Sequence, residues 1–264
     1  MPTNRKILAQ MVKHVQNAPD DPFTPLVDTY VIKRLDRTVK RFHELIDLRP
    51  RYRPGKRISP SSIGGCQRAA VFQFVGIRGA KRVNPDTELI FDNGDWFHMK
   101  WQARAKDMQL VLGKKKIKVL GIEAGVQYPD LYIAGYLDLK LRIRMPDGRR
   151  VKVIIDVKSI NERGWARLLQ EAKPFPEHVQ QVTTYGVVDG DFDMLAVLYE
   201  NKNTNQFMFF MFELDMKVWH EVEEWCEEVL QALNEQTLPQ MHEGCENGNF
   251  LYEKCPHKAL CYGN

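Results

Sequence analysis

No stretch of the 264-residue chain is apolar over the length that a membrane-crossing helix needs. The opening residues, MPTNRKILAQMVKHV, lack the apolar core and small-residue cleavage site of a secretory signal. A cytoplasmic protein is therefore expected. There is no internal repeat and no low-complexity tract, which argues against solenoids and disordered linkers. Cysteine is scarce, at five residues. In a reducing compartment so few thiols point to ligation or catalysis rather than disulfides. An excess of charge is also missing: 38 Lys and Arg against 34 Asp and Glu leave +4. That permits a basic patch without demanding one. What the chain does have is 44% hydrophobic residues, enough for a sizeable core.

The richest stretch is 131–161, LYIAGYLDLKLRIRMPDGRRVKVIIDVKSIN. It reads as two long strands around a tight turn at Pro146, Asp147 and Gly148. In the second strand Val151, Val153, Ile155 and Val157 point one way, and Lys152, Ile154, Asp156 and Lys158 the other. In the first, Leu137, Leu139, Leu141 and Ile143 share a face opposite Asp138, Lys140, Arg142 and Arg144. Each strand thus has a face to bury and a face carrying chemistry. Two carboxylates and an ammonium, Asp138, Asp156 and Lys158, suit a hard cation beside a phosphate. The plain alternative is a surface ladder of salt bridges across two strands.

The rest of the chain supplies helices and three more strands. Phe23 to Leu48 has helical apolar spacing with a basic outer face. Ser59 to Val75 reads as a helix containing Cys66, and Asp86 to Leu110 as another, with His98 among Trp96, Phe97 and Trp101. By itself such a histidine is ordinarily a packed core residue. Lys114, Lys115 and Lys116 form a basic turn into a strand at Ile117–Gln127, which carries Glu123. Short helices over 162–172 and Glu177–Val188 follow; Gln181 and Tyr185 lie one turn apart in the second. Strands are predicted at Phe192–Glu200 and Gln206–Leu214, then a helix at Met216–Glu235 with Cys226 as an ordinary buried thiol. An irregular tail holds Cys245, Cys255 and Cys261. The fold class is α/β: a central mixed five-stranded sheet flanked by helices. The expected divisions are a helical N-terminal extension (1–58), a core (59–237) and a cysteine tail (238–264).

Gly135-Tyr136-Leu137-Asp138 followed by Asp156-Val157-Lys158 resembles the PD-(D/E)xK nuclease core. His98 in an upstream helix, Gln181-Val182-Thr183-Thr184-Tyr185 as a QxxxY helix motif, and Cys66 with the Cys255–Cys261 C-x5-C ending are similar to the RecB-like exonuclease branch. That branch includes CRISPR-associated members and the AddB nuclease domain. The resemblance covers about residues 59–264. A lone D-x-K is a weak signal; the whole set in the family's order is a strong one. One departure stands out. Related proteins usually place the second cysteine two residues before the third, whereas nine residues separate Cys245 from Cys255. Either that loop is longer here or Cys245 is not a ligand.

The resemblance implies a restriction-endonuclease-like core and a metal-dependent DNA exonuclease, working on DNA ends in recombination, repair or phage DNA processing within a bacterial or phage-infected cell. Recombination or replication proteins would be its partners besides DNA. It implies Mg2+ or Mn2+ held by His98, Asp138, Asp156 and the Val157 carbonyl. Lys158 would orient the attacking water, with Gln181 and Tyr185 orienting Lys158 or the strand. Glu123 reads either as a carboxylate for a second metal or behind the first ligands, or at least as readily as a solvated strand glutamate. Cys66, Cys245, Cys255 and Cys261 would hold a [4Fe–4S] cluster, with zinc as the alternative that thiolates also accept. By charge alone, Lys114, Lys115, Lys116, Lys140, Arg142, Arg144, Arg149 and Arg150 are candidates to track a phosphate backbone, with ordinary solvated charges among them. Trp165 is a candidate for base stacking. The rivals are an endonuclease or flap nuclease on the same core, an inactive DNA-binding scaffold, and a zinc-stabilised interaction protein.

Overall fold

Alternating apolar residues build the sheet, and their order along the chain sets its topology. The computed structural model describes residues 56–77, 85–245 and 255–262. The helix expected over Phe23–Leu48 lies outside the described residues. The five strands are β1 (Ile117–Tyr128), β2 (Ile133–Arg144), β3 (Arg150–Ile160), β4 (Met194–Asn201) and β5 (Phe207–Phe212). They stand side by side in chain order. All neighbours are antiparallel except β3 and β4, which run parallel. The mixed five-stranded sheet expected from the sequence is therefore present.

A parallel pair needs a crossover, and two helices provide it. Asn161 caps α3 (Glu162–Glu171) by accepting the Gly164 amide at 2.8 Å. Pro176 opens α4 (Pro176–Asp189), and Gly190 ends it with φ +69°. Gly186 lets α4 approach the sheet closely: a Cβ there would lie 2.6 Å from Leu195. The tight turn between β2 and β3 closes with Gly148 at φ +88° and Asp147 accepting the Arg149 amide at 2.9 Å.

Each face of the sheet is covered. The long helix α2 (Pro85–Leu112) buries Trp101 and Ala105 against Leu139, Leu141, Val153, Ile155 and Val157. On the other face α3 and α4 bury Trp165, Leu168, Val182 and Tyr185 against Leu137, Ile154, Leu195 and Val197. Ile58, Ile63 and, from α1 (Gln67–Phe74), Val71 pack with Trp219, Val222 and Cys226 of α5 (Met216–Glu235). Each such fully buried apolar side chain contributes about 1.5–3 kcal/mol.

Three local readings change. Ser59–Val75 is not one helix: Pro60–Ser62 is a 3-10 turn, and α1 begins at Gln67 with Cys66 as its N-cap. Gly64, at φ +77°, breaks the run between them. Leu137 packs with Ile154 and Val182 rather than with Leu139 and Leu141, because β2 leaves its pairing with β3 at that point. Trp165 is buried in the core and so is closed to base stacking.

Candidate active site

The β2–β3 ladder is regular from Arg144–Arg150 to Leu139–Ile155. One more step would set Asp138 opposite Asp156, and there the pairing stops. The Val157 amide instead donates to Asp138 Oδ2 at 2.7 Å. A side-chain carboxylate thus replaces a ladder carbonyl, which satisfies the amide while the strands part. Gly135 helps to seat this segment, since a Cβ there would lie 2.8 Å from Pro60.

Three elements meet at the parting. From α2, His98 brings Nδ1 to 3.0 Å from Asp138 Oδ1. From β1, Glu123 stands between the pairs Ile122–Leu139 and Ala124–Leu137, level with Asp138. Its φ of +47° is costly for a residue with a Cβ. Gln102, one turn after His98, donates from Nε2 to Glu123 Oε1 at 2.7 Å. The helix is itself anchored: Trp101 Nε1 donates to buried Glu200 Oε2 at 2.6 Å, and Lys100 pairs with the other oxygen.

On the β3 side a chain of contacts runs into α4. Lys158 Nζ lies 2.9 Å from Asp156 Oδ2 and donates to Gln181 Oε1 at 2.8 Å. Gln181 Nε2 donates to the Tyr185 hydroxyl at 3.2 Å. Burial raises the Tyr185 pKa, so the phenol keeps its proton. The two aspartates diverge. Burial would raise Asp138, but His98, Lys158 and the Val157 amide together hold it below the usual carboxylate range. Burial pushes Asp156 up to about 7, with Lys158 opposing and Asp138 adding to the rise. For His98, burial lowers the pKa and Asp138 more than offsets it, leaving a net rise. A pair of carboxyls driven apart in this way marks sites of acid–base or metal chemistry.

The donor set fits a divalent cation. Ligand atoms of His98, Glu123 and Asp138 all lie within 4.8 Å of one another. Two hard carboxylates with one imidazole suit magnesium or manganese. Asp156 is fully buried, and its Oδ2 has no partner in hydrogen-bond geometry despite the nearby Lys158 charge. A buried carboxylate oxygen that faces an ammonium outside hydrogen-bond geometry keeps lone pairs for a further ligand.

Of the residues singled out in the sequence, His98, Asp138, Asp156, Val157, Lys158, Gln181 and Tyr185 come together. Glu123, open between two readings, joins them. Gln102 was missed; its i+4 spacing from His98 was the available signal. The basic residues gather elsewhere. Arg144 donates its amide to Lys116 O at 2.8 Å, and Lys114, Lys115 and Lys116 form an exposed turn. Arg142 and Arg144 lie about 13–20 Å along β2 from Asp138 at the usual strand rise. Lys140 is buried and paired with Asp189 at 2.5 Å, so it does not track a backbone. Among the cysteines, Cys226 is buried beside Val222 and its thiol is pushed up to about 12. The Cys245 thiol is raised by burial, by Cys66, Cys255 and Cys261, and by a hydrogen bond with Cys66.

No known family profile matches the chain, and no curated protein does. Among solved structures it is similar to an alkaline exonuclease, LHK-Exo, from Laribacter hongkongensis: 12% identity over 69% of this chain and 90% of that one, with a TM-score of 0.43. The same protein in complex with dAMP gives 13% identity, 69% and 89% coverage, and a TM-score of 0.42. A protein described as SSO0001 gives 13%, 83% and 94%, with a TM-score of 0.44. At these values the chemistry has to be read from the site itself.

Proposed function

We propose that this chain is a divalent-cation-dependent deoxyribonuclease of the RecB-like PD-(D/E)xK type, acting on DNA ends. The observation that carries the reading is the parted β2–β3 pair. It gathers His98, Glu123 and Asp138 on one side and the Asp156–Lys158–Gln181 chain on the other.

Phosphodiester hydrolysis brings a nucleophile to an anion and expels an alkoxide. A cation held by His98, Glu123, Asp138 and Asp156 would acidify water and neutralise developing charge. Lys158 orients the attacking water and offsets charge in the transition state. Gln181 fixes the ammonium by accepting one of its hydrogens, and Tyr185 fixes Gln181 in turn. Without a cation Asp156, next to Lys158, keeps its proton up to about 7; holding the cation would require it to give that proton up.

Cys66, Cys245, Cys255 and Cys261 are proposed to hold a [4Fe–4S] cluster; what supports this is that Cys66, Cys255 and Cys261 each act on the Cys245 thiol. Its role would be structural, closing a loop of about 180 residues. Anaerobic purification should give a brown protein absorbing near ~400 nm, as thiolate-held iron does. A colourless, zinc-loaded protein would count against iron.

The decisive assay uses end-labelled linear DNA and covalently closed circular DNA with magnesium or manganese. Digestion of linear DNA alone supports action from ends. Cleavage of the closed circle would move the reading to an endonuclease, and binding without cleavage to a scaffold. If Lys158→Ala digests linear DNA at the wild-type rate, the site is wrong.

A further inference from the structure

His178 is the third residue of α4, one turn before Gln181 and two before Tyr185. The three side chains therefore share the helix face that closes over Lys158. Behind His178 lies Tyr199, fully buried on β4 at the register position opposite Lys158.

The hydrogen bonds fix the state of the imidazole. The Tyr199 hydroxyl accepts the Phe175 amide at 2.9 Å and lies 2.8 Å from His178 Nδ1. The buried phenol has one proton to give, and Nδ1 is the acceptor within hydrogen-bond distance of it, so Nδ1 receives that proton. Burial raises the Tyr199 pKa, so that proton stays in place. The imidazole is thus the Nε2–H tautomer. Burial and then the Lys158 ammonium push its pKa down to about 3, so it remains neutral. Phe175 packs against both rings, with centroids at 5.7 and 5.5 Å, and holds the orientation. Among the described residues none receives the Nε2 hydrogen, and the residue is only half-buried.

A tie between α4 and β4 accounts for Nδ1 but leaves Nε2–H unused. A rigid neutral donor beside an ammonium is suited to an anionic oxygen. We propose that His178 Nε2–H donates to a backbone phosphate of the bound DNA strand, next to the phosphate that Lys158 serves. This rests on the nuclease reading of the site.

The test uses the full-length protein with manganese and single-stranded oligonucleotides carrying one methylphosphonate at successive positions from the attacked end. In the wild type, one position beside the scissile phosphate should raise KM about tenfold, the scale of a lost hydrogen bond to a charged group. His178→Ala should raise KM for unmodified DNA by a similar factor with kcat little changed. It should show no further loss at that methylphosphonate, since two changes that remove one contact do not add. His178→Gln, whose amide can donate, should restore most of the affinity.

An unchanged KM in His178→Ala or additive losses at every position overturns the proposal. If His178→Ala does not fold, the methylphosphonate scan of wild type and His178→Gln decides the matter by the same criteria. A wild type that cleaves no DNA refutes the nuclease reading itself. A wild type that cleaves, with His178→Ala behaving identically, refutes this inference alone.

Discussion

The two ends of the β2–β3 pair both carry charged residues and have opposite characters. Toward the turn, the ladder is intact and Arg142, Arg144, Arg149 and Arg150 project from it. Arg149 pairs with Asp147 at 2.6 Å in solvent, where an ion pair contributes little. At the other end the ladder stops, and Asp138 and Asp156 are buried. There each charge is tied to a particular partner, and a carboxylate stands in for a backbone carbonyl. Strand separation, rather than the number of charges, turns a surface into a site. Water is excluded, Coulomb interactions strengthen, and two like carboxyls are forced into different protonation states.

Substitutions should therefore act very differently at the two ends. The largest effect belongs to the parted end. Lys158→Ala should lower the cleavage rate by about 10²–10⁴, the range expected for a positioned proton-handling group. Circular dichroism and melting should remain close to wild type. A loss of only a few-fold in a steady-state assay would make the two ends equivalent. Next comes Gln102→Ala, which removes the donor holding Glu123. The manganese concentration for half-maximal activity should rise about 10–100-fold, as when a ligand loses its supporting hydrogen bond. Rate at saturating metal should recover; failure to recover would mean that Gln102 acts on folding instead.

Asp156→Asn gives a smaller effect with a defined pH signature. The folded carboxyl titrates at about 7, the unfolded one near 3.8. Between those values the native state keeps a proton that the unfolded chain has released. Stability therefore falls as pH rises across that window, by an amount on the order of a few kcal/mol. Asparagine cannot ionise and escapes this loss. In EDTA, the Tm of Asp156→Asn relative to wild type should increase from pH 4.5 to pH 8. A difference independent of pH would show that Asp156 is ionised throughout.

How much of this was legible beforehand follows from what each feature depends on. The strands and the D-x-K were readable because period-two alternation is local. Gln181 and Tyr185 were readable because helical spacing is local too. Glu123 stayed ambiguous because its place is set by the β1–β2 register, which shifts between Val119 and Gly121. No pattern within one strand reveals a shift of that kind. The same limit hid Leu137, whose face changes where β2 leaves β3, and Lys140, whose partners Asp189 and Asp191 lie at the C-terminal end of α4. From sequence Cys66 reads as helical because Ser59-Pro60 is a good helix start, whereas Gly64, at φ +77°, ends that turn and leaves Cys66 as the N-cap of α1.

The smallest effect, at the turn end, is also the most discriminating for the role of the basic residues. Arg142 and Arg144 lie about 13–20 Å from Asp138 along the strand, roughly four to six residues of extended chain. A single strand held at the site could reach them only if it runs along β2. If it does, each arginine that neutralises a phosphate releases about 0.7 of a counterion on single-stranded DNA. Arg142→Ala together with Arg144→Ala should then flatten the slope of log affinity against log salt by about 1.4 in all, the two contributions adding. Cleavage of short oligonucleotides should stay unchanged. If the slope is unaffected, those arginines are ordinary solvated charges, and the DNA path leaves the site over α4, past His178, instead of along the hairpin.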